Sequence, residues 1–66
     1  MKIQADRMRA RRKSVGLTQI QLAKLVGCTN SYISHIEKKK ANPSVQCVLL
    51  IAIALNMNLQ DLLEEE

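Results

Sequence analysis

Followed by its apolar and polar positions, the 66-residue chain divides into five helical stretches, each with its own start or stop signal. Nowhere do apolar residues alternate long enough to argue a strand. The first helix is expected from about Ile3 to Ser14, with Ile3, Met8 and Val15 facing inward and Arg7, Arg9, Arg11 and Lys13 mostly solvated. The second begins at Thr18, whose hydroxyl can cap it while Gln21 reaches back as in a capping box. It stops at Gly27, the residue best able to take a left-handed position, and its core stripe is Leu22, Leu25 and Val26. Thr29 caps a third helix that runs to about Lys38. Asn42-Pro43-Ser44 reads as a turn whose Ser44 caps a fourth helix, ending near Leu55. Asn58 caps a short fifth helix carrying Leu59, Leu62 and Leu63, and the closing Glu64-Glu65-Glu66 is expected to fray. The fold class is all-α.

The third helix has two unlike faces. In TNSYISHIEKKK, Thr29 to Lys40, the side chains of Ile33 and Ile36 point one way, while Ser31, Ser34, His35 and Lys38 recur at helical spacing on the other. Only Gly27-Cys28 separates the second helix from the next cap. So short a link makes the two helices cross steeply, with Ala23 supplying the close approach, which is a helix-turn-helix over about residues 18–38. The third helix then presents Asn30, Ser31, Ser34 and His35 outward. A DNA major groove about 12 Å wide admits a helix, and its base edges offer donors and acceptors that Asn, Ser and His can match. Lysines at the far end reach phosphate.

Size and charge fit that picture. A single domain spanning residues 1–66 buries only roughly 60% of the surface its unfolded chain exposes, so it needs a disulfide, a metal or a partner subunit. Cys28 and Cys47 are far apart, with no C-x-x-C spacing and no signal peptide, so reduced thiols and a cytoplasmic location are expected. His35 and two distant cysteines lack metal spacing; neither metal nor cofactor is expected. The longest apolar run, Val48 to Leu55, falls far short of the ~20 residues that span a bilayer, so no membrane partner is expected. Residues 1–43 carry all ten Lys and Arg against Asp6 and Glu37, whereas residues 44–66 carry only acids. A basic front of this kind steers a polyanion. No nucleophile, base and orienting group come together in the sequence and no glycine loop cradles phosphate, so an enzyme is not expected.

About four-fifths of the chain, from Arg12 onward, resembles the phage repressor and Cro-like helix-turn-helix family, often called the Xre family. The matching marks are GLTQ at Gly16 to Gln19, Leu22-Ala23, Gly27, YIS-x-IE at Tyr32 to Glu37, NPS at Asn42 to Ser44 and IA-x-AL at Ile51 to Leu55. The resemblance implies a five-helix bundle of the phage-repressor type. It implies base reading by Asn30, Ser31, Ser34 and His35, and DNA-backbone contact by Gln19, Thr29, Lys38 and Lys40. Tyr32 either stacks on the sugar–phosphate edge or rests beside the second helix. Arg12 and Glu37 match a partly buried ion pair of the family. Lys39 stands where the family often has glycine; left-handed geometry there costs roughly 1–2 kcal/mol unless its charge compensates at phosphate.

The fourth helix also departs from the family. Val45, Val48, Leu49, Ala52 and Leu55 form the expected inward stripe, yet Leu50 and Ile53 make an adjacent face apolar where the family is frequently polar. That face, with Cys47, Ala54 and Met57, is expected to form a two-fold homodimer contact setting two recognition helices about one DNA turn, ~34 Å, apart. The expected function is a sequence-specific transcriptional regulator on a pseudo-palindromic operator, a repressor or autoregulator. RNA polymerase is a further candidate partner, although the second helix offers it no acidic patch. The alternative is a protein-interaction module, an antitoxin or anti-repressor, using the same helices.

Overall fold

Thr18, Thr29 and Ser44 each stand one residue ahead of a helix, and each hydroxyl accepts the backbone N–H three residues on: Gln21 at 3.1 Å, Tyr32 at 3.1 Å and Cys47 at 3.2 Å. Gln21 returns the bond, its Oε1 accepting Thr18 N–H at 2.9 Å, which completes the expected capping box. These caps open three of the five helices of the computed structural model, which describes residues 2–63. They are α1 (Ala5–Ser14), α2 (Gln19–Val26), α3 (Asn30–Glu37), α4 (Val45–Leu55) and α5 (Leu59–Leu62). The acidic run Glu64-Glu65-Glu66 lies outside the described residues. Asn58 does precede α5, but its side chain makes no capping bond; Asp61 N–H meets the Asn58 carbonyl instead, at 3.0 Å. Residues 42–44 take no regular turn; the segment is an irregular link with Pro43 buried.

The four longer helices close alike. Gly16, Gly27, Lys39 and Asn56 take left-handed φ of 78°, 84°, 63° and 53°. The next N–H then turns back to a carbonyl inside the helix: Leu17 to Arg12, Cys28 to Ala23, Lys40 to His35 and Met57 to Ala52, at 2.8–3.0 Å. This 6→1 closure satisfies carbonyls the helix leaves open.

One apolar cluster lies beneath all five helices, with Met8, Leu22, Ile33, Ile36, Val48, Ile51, Leu55 and Leu62 fully buried. Several inward assignments need correcting. Val15 is 40% exposed, because it lies past the end of α1 where Gly16 reverses the chain. Leu25 is 60% exposed and Ala23 is buried in its stead: α2 rolls its small side toward α3, as a close crossing requires. On α4, Val45 and Leu49 are exposed and Ile51 is fully buried, a roll of roughly 50° from the expected stripe at ~100° per residue.

The ends of the fold are joined. Ile3 is buried as expected but sits in extended chain ahead of α1, paired with Leu63 in an isolated antiparallel bridge. Gln4 N–H donates to the Leu62 carbonyl at 2.7 Å, and Gln4 Nε2 to the Leu63 carbonyl at 2.9 Å. Arg11 is not on the solvated face. Its Nε donates to the Leu55 carbonyl at 2.9 Å and its Nη2 to the Asn56 carbonyl at 3.4 Å, placing a cation on the negative end of α4.

Candidate nucleic-acid interface

The helix-turn-helix is set by two caps and one glycine. Gly27 ends α2, only Cys28 and Thr29 follow, and Thr29 starts α3. Ile33 and Ile36 bury the inner face of α3, so Ser31, Ser34, His35 and Lys38 occupy the outer one. Ser31, His35 and Lys38 are exposed and Ser34 half-buried; Asn30 is exposed at the helix start. An α-helix is about 10–12 Å across with its side chains, a diameter that fits a major groove about 12 Å wide. Thr29, engaged as the cap, remains solvent-accessible.

Asn30 also shares an open recess with the start of α2, lined by Lys13, Gly16, Thr18 and Gln19. The positive end of α2 faces this recess, and the backbone N–H groups of its first turn are not all used. Lys13 on its rim belongs to the candidate interface, a place that helical periodicity alone does not give it. Its place just before the Gly16 turn was the available signal.

Behind the recess lies a buried polar knot. Arg12 Nε donates to Glu37 Oε2 at 2.7 Å and Nη2 to Oε1 at 3.2 Å, with the two side chains only 8% and 3% exposed. The third nitrogen, Nη1, donates to the Leu17 carbonyl at 2.7 Å, and Gln19 Nε2 donates to Glu37 Oε1 at 3.1 Å. One carboxylate thus anchors the end of α3 to α1 and to the first turn of α2. Gln19 is half-buried and lines the recess, with its amide nitrogen engaged at Glu37.

The lysines divide by geometry. Lys38 caps α3, Lys39 holds the left-handed position and Lys40 closes the turn on His35; all three are exposed. Tyr32 stands roughly 100° round the helix from Ser31 and is half-buried, lining a groove with Val26, Cys28 and Cys47. Burial foremost pushes its phenol above the ordinary range; the Cys47 and Cys28 thiolates add to this, and a Ser44 backbone hydrogen bond partly offsets it. The surroundings of Tyr32 favour packing beside α2 over stacking on a sugar–phosphate edge.

On α4, Leu50 is 37% and Ile53 76% exposed, and Val45 and Leu49 extend the same apolar surface. Cys47, Ala54 and Met57 are half-buried against the core and sit at its margin. Among the described residues no helix is long and apolar enough to cross a membrane.

Known proteins share both pattern and shape. A family model described as helix-turn-helix matches residues 8–62. The immunity repressor protein of Bacillus phage phi105 is 37% identical over 61 residues, covering 92% of this chain but 42% of the repressor. This chain therefore spans less than half the length of that relative. An uncharacterized HTH-type transcriptional regulator of Archaeoglobus fulgidus is 41% identical over 56 residues, 85% of this chain and 80% of that protein. The crystal structure of the P22 c2 repressor protein in complex with synthetic operator 9T superposes with a TM-score of 0.89 at 32% identity, covering all of both chains. The chain belongs to the Xre-type helix-turn-helix family, to which phage repressors belong.

Proposed function

We propose that the protein is a sequence-specific DNA-binding transcriptional regulator that reads an operator with α3 in the major groove. The observation that carries the proposal is the outer face of α3, where amide, hydroxyl and imidazole groups stand exposed, followed by three exposed lysines. The P22 c2 repressor bound to its synthetic operator has the same fold, which supports the same use here.

Asn30, Ser31, Ser34 and His35 read bases. Thr29, Gln19, Lys38, Lys39 and Lys40 hold the backbone, joined by Lys13 at the recess. Two copies bind a pseudo-palindrome, meeting through Leu50 and Ile53 with Cys47, Ala54 and Met57 at the margin, and Val45 and Leu49 widen that contact. Repression or autoregulation in the cytoplasm is the regulatory sense, with RNA polymerase displaced from the operator rather than recruited. The role is binding; no catalytic group is assigned.

Selection of bound sites from random duplexes tests the proposal directly, returning half-site, spacing and symmetry together. Neutralising roughly 6–8 phosphates per dimer gives a slope of log affinity on log salt of about −5 to −7. Asn30→Ala is expected to lose ~1–3 kcal/mol and relax preference at one position, whereas Lys38→Ala weakens all sequences nearly alike. A salt-independent interaction, or a preference altered by Lys38→Ala and not by Asn30→Ala, contradicts these roles.

A further inference from the structure

The groove between the helix-turn-helix and α4 contains none of the proposed base-reading residues, yet it gathers the only two cysteines of the chain. Cys28 sits in the turn after Gly27 and Cys47 in the first turn of α4, where its N–H is held by Ser44. Both thiols are free and half-buried, and both line a single groove of about 270 Å³ with Val26, Tyr32 and Leu50. No carboxylate or imidazole lines it. Among the described residues no group of three or more His, Cys, Asp or Glu is gathered to hold a metal. A tetrahedral ion such as zinc, which takes four ligands or three and a water, has no place there. An ion satisfied by two soft sulfur ligands does.

We infer that Cys28 and Cys47 form a two-thiolate site for a soft monovalent cation of the copper(I) and silver(I) class. Binding breaks two S–H bonds, forms two metal–sulfur bonds and releases two protons; sulfur and metal keep their oxidation states, so no oxidant is required. The resulting complex carries one negative charge in a chain of net charge +4. Burial pushes both thiols above their ordinary value, and the charge of Cys28 raises Cys47 further. A cation between the sulfurs removes that repulsion. Once bound, the ion ties the turn of the helix-turn-helix to the start of α4. The site stands on the two free thiols lining one groove and needs none of the base-reading residues.

The test is titration of the reduced full chain with silver(I) in nitrate buffer, repeated with copper(I) against a competing chelator under reductant. One ion per chain is expected, with two protons released and affinity rising with pH. Cys28→Ser and Cys47→Ser are each expected to weaken binding by about 10²-fold or more, because the second thiolate no longer acts intramolecularly. If Cys28→Ser loses its helical circular dichroism, Cys28→Ala replaces it with the same readout. The native chain failing to bind, one ion bound per thiol, or single-cysteine variants as tight as native would each overturn the site. So would an ion retained between two chains in Cys28→Ser, which places it at Cys47 of two copies.

Discussion

At Lys39 the backbone takes the left-handed conformation that α1 and α2 give to Gly16 and Gly27, and that α4 gives to Asn56. Asparagine tolerates this geometry through local hydrogen bonding and glycine has no side chain to clash, but lysine has neither advantage. Lys39→Gly is therefore expected to stabilise the fold by about 1 kcal/mol, raising Tm by roughly 4–8 °C. The same change is expected to weaken DNA binding across all sequences and, with two such lysines in a dimer, reduce the salt slope by about two. Thermal melts and salt titrations of the one variant check both halves. Glu37 has the opposite balance, since its value is structural. Glu37→Ala leaves Arg12 buried without its partner and is expected to cost about 3–5 kcal/mol, as much as a small domain can spare. The double change Arg12→Met with Glu37→Leu is expected to be more stable than the single one, which urea denaturation can measure.

Among the elements, α4 shows where apolar pattern stops being informative. Its sequence, VQCVLLIAIAL, contains one polar side chain, Gln46, and no charge, so nothing in it marks which side faces solvent. The expected stripe was misphased, with Val45 and Leu49 outside and Ile51 inside. On α3 the serines, His35 and Lys38 mark the wet side, and the buried positions Ile33 and Ile36 were legible from the sequence. Caps at Thr18, Thr29 and Ser44 were legible too, because a hydroxyl three residues before a free N–H is a local signal. The bond from Arg11 to the end of α4 was not, since it depends on how two distant helices cross. Leu49→Lys with Ile53→Lys is expected to leave the helical signal unchanged and, if the proposed dimer forms through this face, to give a monomer in sedimentation. An unaltered dimer would place the contact elsewhere. Ser44→Ala is expected to cost about 1 kcal/mol by freeing the Cys47 N–H at the start of this helix.

For the molecule as a whole, the thiols set a limit at alkaline pH. Their folded-state values lie above the ordinary 9.0, so the folded chain holds its protons after the unfolded chain has begun to lose them. Their contribution to stability is complete below 9.0 and is lost as pH rises through the raised folded values. Urea midpoints are expected to fall as pH rises above about 9, and to fall less in a chain carrying both Cys28→Ser and Cys47→Ser. The bridge between Ile3 and Leu63 bears on topology instead. Since the first and last described segments already lie side by side, a short polar linker could close the chain into a ring with little loss of loop entropy. Reopening that ring in the irregular segment between Lys40 and Ser44 yields a circular permutant that begins at α4 and ends with the recognition helix, its neighbours in space unchanged.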